Sequence, residues 1–168
     1  MTNRDVMKKH LLEKVCKPLL AEGFTGKFPH YRRACDKTIE LVTFQTNKDG
    51  GSFTVEVSAV FPHRKNTNCA EEIIDPATVT VWNTNERYRL SGMFDGWFYY
   101  CDLYEKRILG LGKVYWKTDE TKDAPPQSYR LAQTFHEETA KAICDEVNKQ
   151  LAKAFRWLSK FEKKNQKA

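Results

Sequence analysis

IELVTFQTNKDGGSFTVEVSAVF (residues 39–61) reads as one β-hairpin, and that reading decides the fold class. In the second arm Phe53, Val55, Val57, Ala59 and Phe61 alternate with Thr54, Glu56 and Ser58. Successive side chains of a strand point to opposite faces, so this pattern predicts one buried and one wetter face. The first arm, Ile39 to Thr46, is rich in β-formers. Between the arms, Lys48-Asp49-Gly50-Gly51 supplies the positive φ that a tight hairpin turn needs.

Working outward, residues 3–22 predict a first helix. Asn3 is placed to cap it, with Asp5 in the first turn. Met7, Leu11, Val15 and Leu19 recur at helical spacing, backed by Leu12 and Cys16. Pro18 removes one backbone donor and predicts a kink or a break and restart. Gly23-Phe24 fits a left-handed stop with a hydrophobic residue folding back.

Strands are expected over 27–118. Phe28 to Cys35 carries Tyr31, Arg32 and Arg33, and the hairpin supplies the next two strands. Shorter segments follow at Thr78 to Trp82, Tyr88 to Met93, Trp97 to Leu103 and Val114 to Lys117, with Ile108 to Leu111 as a further extended candidate. His63 to Glu72 and Thr118 to Pro126 are polar and read as loops. Asp75-Pro76 and Asn83-Thr84-Asn85 read as turns.

A long amphipathic helix closes the chain at 134–163, followed by a basic tail at 164–168. Thr134 and Glu137 have capping-box spacing. Ala140, Ile143, Val147, Leu151, Ala154, Leu158 and Phe161 share one face, with Cys144 and Phe155 at its border. Lys149, Lys153, Arg156, Lys160, Lys163 and Lys167 form a stripe on the opposite face. The expected fold is therefore α+β. A mainly antiparallel sheet of five or six strands packs on an N-terminal helix and a long C-terminal helix, in a single domain.

A chain of 168 residues at 40% hydrophobic and 30% charged suits a globular protein with a real core. Twenty-eight Lys and Arg against 22 Asp and Glu leave a net charge of +6, which admits an acidic protein, nucleic acid or anionic lipid as partner. Five cysteines (16, 35, 69, 101 and 144) stand far apart without a Cys-x-x-Cys, which argues against a disulfide framework or a zinc ribbon. Cys16, Cys101 and Cys144 sit in apolar patterns as small hydrophobes. The expected compartment is the cytoplasm. The N-terminus mixes charged with apolar residues and is not read as a secretory signal, and no apolar stretch is long enough to cross a membrane.

His10, His30, His63 and His136 lack a partner at a ligand spacing, and His63 with Cys69 makes only two potential ligands. No metal or cofactor is expected. Gly-x-Ser-x-Gly is absent, and Gly110-Leu111-Gly112 is too short for a dinucleotide fingerprint. Glu71, Glu72, Asp75, Asp95 and Asp102 are carboxylates that sequence alone cannot pair into an acid–base site.

Two surfaces compete as functional. Aromatic residues cluster from Trp97 to Tyr100, with Trp82, Tyr104, Tyr115 and Trp116 near in sequence. Trp97 with Tyr99 and Phe98 with Tyr100 point to opposite faces, so one pair should be at least partly exposed. Tyr31, Arg33, Trp97, Tyr99 and Trp116 are the candidate contacts of a protein-binding face, since aromatic and arginine side chains dominate interface energetics. The bland alternative is that these aromatics fill the layer between sheet and helices. The basic stripe would suit a phosphate backbone. A helix buried on one face is polar on the other in any case, and the stripe lacks the interleaved aromatics of single-strand binders.

The order of these signals resembles a known family. Pro18-Leu19-Leu20-Ala21-Glu22-Gly23-Phe24 closes the first helix, Arg32-Arg33 follows on a strand, and Val42-Thr43-Phe44-Gln45-Thr46 with Phe53-Thr54-Val55-Glu56-Val57 makes the hairpin. Asp95-Gly96-Trp97-Phe98 comes later, and the closing helix carries Phe155-Arg156-Trp157-Leu158. This resembles the bacterial domain-of-unknown-function family 4304 over most of residues 5–160. Residues 62–78 and 104–130 match its pattern least. The resemblance implies an α+β domain of bacterial origin, and some relatives look like toxin-immunity proteins. It transfers no activity. The expected function is a non-enzymatic protein that occludes an acidic toxin. A nucleic-acid module using the stripe and an unrecognised enzyme are the alternatives.

Overall fold

The computed structural model describes residues 2–48, 50–62, 75–92, 96–100, 103–108, 112–117, 130–131, 135 and 137–165. The chain opens with α1 (Asn3–Leu11), a π-helical turn (Leu12–Cys16) and α2 (Lys17–Ala21). Strands β1 (Thr25–Lys27), β2 (His30–Ala34), β3 (Ile39–Thr46) and β4 (Ser52–Val60) follow. A 3-10 turn (Val81–Asn83) leads to β5 (Tyr88–Arg89) and β6 (Phe98–Tyr99). Then come β7 (Leu103–Ile108), β8 (Gly112–Lys117), β9 (Arg130–Leu131) and α3 (Glu137–Asn165).

Six antiparallel strands make the main sheet in the order β1-β2-β3-β4-β5, with β6 also pairing to β4. Strands β7, β8 and β9 form a separate antiparallel sheet in the order β8-β7-β9. The architecture is α+β with a six-stranded antiparallel main sheet, as the patterning predicts, and among the described residues a second sheet of three strands adds to it. The hairpin pairs Phe44 with Val55 and Val42 with Val57. Its turn uses Gly50 (φ 84°) and Gly51 (φ 74°). Arg4 of α1 donates to the carbonyls of Asn47 and Lys48 at 2.6 Å each, tying the turn to the helix layer.

One face of the sheet packs against the helices. Val42, Phe44, Phe53, Val55 and Val57 meet Met7, Leu11 and Val15 from the N-terminal helices and Val147, Leu151 and Leu158 from α3 in one buried cluster. Each such side chain contributes roughly 1.5–3 kcal/mol on burial. The α3 apolar face is the one expected: Ala140, Cys144, Val147, Ala154 and Leu158 are fully buried. Its 29 residues span about 43 Å. Among the described residues the helix runs from Glu137 to Asn165.

The other face is not wet. Thr54, Glu56 and Ser58 are 0%, 4% and 0% exposed, and every residue of β4 is buried. The cause is the segment from Asp75 to Arg89, which lies across this face. Val79 and Val81 join Ile39, Leu41 and Val60 in a second apolar cluster. Ser58 Oγ donates to the Glu86 carbonyl at 2.6 Å. Glu56 accepts from Arg89 at 2.7 and 3.0 Å and pairs with Arg87 at 3.7 Å. A carboxylate taken out of water needs such partners.

Other boundaries shift for local reasons. Thr2, not Asn3, caps α1, because its hydroxyl accepts from the Asp5 amide while the Asp5 carboxylate accepts from the Thr2 amide. The expected strand from Phe28 to Cys35 forms from His30 to Ala34, as β2, and Phe28-Pro29 is instead the turn that joins it to β1. Thr78 to Trp82 is not a strand: it ends in the 3-10 turn, boxed by Thr80 and Asn83. Tyr88 to Met93 is a strand only over its first two residues. The Asp75-Pro76 turn stands, with the Thr78 and Val79 amides donating to the Asp75 carbonyl. Gly23 (φ 88°) ends α2 as expected: its amide donates to the Leu20 carbonyl and that of Phe24 to the Leu19 carbonyl. His63 to Glu72, Thr118 to Pro126, Thr134 and most of the 164–168 tail lie outside the described residues.

Pro18 produces neither a break nor a restart. The chain passes it through the π turn, in which the Lys17 amide donates to the Leu12 carbonyl. A proline cannot donate to the carbonyl four residues back, here that of Lys14. Asn148 Nδ2 of α3 donates to that carbonyl instead, at 2.8 Å. Replacing Asn148 with Ala should therefore cost about 1 kcal/mol, through loss of a part-buried hydrogen bond. Urea unfolding should show a lower midpoint with an unchanged m-value. An unchanged midpoint would mean that water replaces the amide without loss.

Candidate functional site

The sheet register sorts the candidate residues onto different faces. Tyr31 pairs with Val42 and Arg33 with Glu40, both on the helix side. Tyr31 is 3% exposed, part of the core and in T-shaped contact with Phe44. Burial and a hydrogen bond with Cys16 push its phenol well above the ordinary range. Arg33 is fully engaged. It donates to Glu40 at 2.7 Å and to the Glu22 carbonyl at 2.7 Å, and lies over the Phe24 ring at 4.5 Å and the Phe155 ring at 5.4 Å. Neither side chain is presented to a partner; both knit the helices to the sheet.

Phe98 and Tyr100 are buried, while Trp97 and Tyr99 are half-buried, so one pair is partly exposed as alternation requires. Tyr99 pairs with Ser52 on the face away from the helices. Gly92 packs so closely on the Trp97 backbone that a Cβ there would collide with it. Trp116 lies in β8, paired with Tyr104 of β7; its side chain is outside the described residues. The register therefore does not gather Tyr31 and Arg33 onto one face with Tyr99. On α3, Lys149, Lys153, Arg156, Lys160 and Lys163 are all exposed, and Lys149 pairs with Glu146 at 3.5 Å. Lys167 is outside the described residues.

A different grouping stands on the helix-free face. His30 and Arg32 belong to β2, and their register partners Lys27 and Thr25 belong to β1. The 3-10 turn places Val81 inward, which turns its neighbour Trp82 outward, 51% exposed. Trp82 meets the His30 ring edge-on, centroids 4.9 Å apart at 85°. Arg87 steadies the turn by donating to the carbonyls of Trp82 and Thr84 at 3.2 and 3.1 Å. His30 Nδ1 lies 3.0 Å from Thr43 Oγ1. Burial first, and then the neighbouring Arg32, hold its imidazole below the usual histidine range.

Beside this group is a cavity of about 600 Å³, lined by the β1–β2 hairpin and Ala77. Arg32 reaches the Pro76 carbonyl at its margin, at 3.5 Å. Asp75, nearby, accepts from the Ala77 amide at 2.8 Å and the Thr78 hydroxyl at 2.9 Å. These two bonds, with a smaller contribution from Arg32, lower its pKa. The arrangement offers cationic and aromatic contacts on a rigid sheet. Sequence reasoning weighed Arg32 and Trp82 but chose Arg33. The usable signal was phase: Tyr31 aligned with the apolar side of the hairpin would have assigned Arg33 to the core face and Arg32 to the other.

Among the described residues no group of three metal-ligating side chains occurs, and no helix is long and apolar enough to cross a membrane. Cys16 and Cys144 are buried thiols, as expected of small hydrophobes. Burial pushes Cys144 up to about 11 and raises Cys16 too. His63, His136, Cys69, Cys101, Glu71, Glu72, Asp95, Asp102 and Gly110-Leu111 lie outside the described residues.

Two outcomes follow. Arg33→Ala leaves Glu40 buried without its cation and should lower stability by roughly 3 kcal/mol, read by chemical denaturation. A loss under ~1 kcal/mol would mean that Glu40 is solvated instead. His30 has a folded pKa below its unfolded value near ~6.5. Its stabilising contribution is therefore present above that pH and is lost as pH falls through the folded pKa, because the unfolded chain binds the proton more readily. The stability difference between wild type and His30→Gln should shrink on acidification below about pH 6.5. A pH-independent difference would contradict this.

Neither a curated protein nor a solved structure gives a significant match to this chain. A family model does match, over residues 15–160, which takes in the sheet, the cavity and nearly all of α3. The chain belongs to the family of the domain of unknown function DUF4304.

Proposed function

We propose that this protein is a non-enzymatic binding domain, most concretely an immunity protein that caps the active site of an acidic toxin. Trp82 carries the reading. It is the most exposed of the large apolar side chains among the described residues, held on a 3-10 turn whose neighbour Val81 is anchored in the second apolar cluster. A fixed tryptophan with cations around it is the usual composition of an interface hot spot. The net charge of +6 favours encounter with an acidic surface. Cytoplasmic action and bacterial origin belong to the same proposal.

A second reading rests on the exposed stripe of Lys149, Lys153, Arg156, Lys160 and Lys163 on α3. That helix packs on the opposite side of the sheet from Trp82, so the two surfaces separate cleanly by mutation. Immobilised protein is exposed to lysate of the source organism, with and without nuclease treatment. We expect one stoichiometric protein, lost with Trp82→Asp, which should cost about 2 kcal/mol or more of binding energy. Capture should persist with Lys153→Glu/Arg156→Glu/Lys160→Glu. Nucleic acid carried at low salt, released at high salt and lost with the triple variant would transfer the function to the α3 stripe.

A further inference from the structure

The cavity beside Trp82 has its own chemistry. Thr25 pairs with Arg32 and Lys27 with His30, so these four side chains share the helix-free face. Gly26, between them, has φ 119°, and a Cβ there would run into the His30 carbonyl. The edge strand can thus press onto β2 only with glycine at this position. The Phe28-Pro29 turn and Ala77 contribute to the lining as well. A volume of about 600 Å³ is ample for side chains entering from another molecule.

Among the described residues the lining contains Lys27, His30 and Arg32 and no carboxylate. Asp75 stands beside Arg32, but its oxygens already accept from Ala77 and Thr78. Lys27 is exposed and Arg32 half-buried, so both cations remain available to an incoming anion. His30, held neutral at pH 7, adds a polar ring edge rather than a third charge.

We propose that this cavity receives carboxylate side chains from an acidic segment of a protein partner, clamped between Lys27 and Arg32 with Trp82 as the adjoining apolar anchor. This rests on the reading that the Trp82 face meets a protein. A polypeptide fits better than a nucleic acid on two counts. The two charges converge on one concavity rather than running along a track. Among the described residues one exposed tryptophan, Trp82, adjoins them, where a single-stranded binder stacks successive bases on several aromatics.

The test uses a fluorescein-labelled, end-capped oligoglutamate peptide and an oligothymidine of matching charge, with binding read by anisotropy at low and at physiological salt. Wild-type protein should bind the peptide. Lys27→Glu/Arg32→Glu should weaken that binding by about tenfold or more, as two attractive pairs become repulsive. Lys153→Glu/Arg156→Glu/Lys160→Glu should leave it within about twofold. Thermal melts check that the variants fold; if the double variant does not, Lys27→Gln, at an exposed site, should still weaken binding. The proposal is overturned if the peptide does not bind at low salt, if the α3 variant abolishes its binding, or if oligothymidine competes equally at the cavity. A partner whose capture needs Trp82 but ignores Lys27→Glu/Arg32→Glu would sink this inference and leave the protein-binding reading standing.

Discussion

Strand β4 is buried along its whole length, and most of the structure answers to that constraint. A strand covered on one side needs only alternation. Covered on both, it must bury its polar side chains too, and each must then find a partner. Glu56 obtains Arg89 and Arg87, and Ser58 obtains the Glu86 carbonyl. Thr54 Oγ1 alone is left buried without one among the described residues. The segment from Asp75 to Arg89 is therefore more than a surface connection, because it supplies part of the second apolar cluster. Its apolar anchors, Val79 and Val81, are what hold Trp82 at the surface.

The helix side meets a similar demand differently. Pro18 removes a donor within the N-terminal helical segment, and Asn148 supplies one from another element. Arg33 links Glu22 at the end of α2, Glu40 of β3 and Phe155 of α3. Both side chains hold elements far apart in sequence, so the helix layer and the sheet are coupled through a few polar contacts within an apolar interface. Arginine on a strand is thus no guide to a binding surface by itself. Arg32 and Arg33 differ by one position, and the strand period sends one to the cavity and the other to the core.

Much of the fold was legible residue by residue. The 39–61 hairpin, the Gly23-Phe24 stop, the buried face of α3 and the opposed pairs Trp97/Tyr99 and Phe98/Tyr100 all follow from local periodicity or local backbone chemistry. The candidate site was less legible, because a surface is defined by what does not cover it. Thr54, Glu56 and Ser58 have the pattern of a wet face and are buried, while Tyr31 has the composition of an interface residue and is core. The sequence named Trp82 and Arg32 without a reason to bring them together with His30 and Lys27.

Period-2 and period-3.6 patterning, glycine at positive φ and the stripe of cations on α3 were determined by the sequence itself, since each depends on residues within a few positions of one another. Tertiary structure alone decided that a second layer crosses the hairpin's polar face, that β7, β8 and β9 form their own sheet, and that Lys27, His30, Arg32 and Trp82 share one side. Those outcomes turn on strand order, register and the path of long connections. Their energies come from contacts between distant segments, which local propensity does not encode.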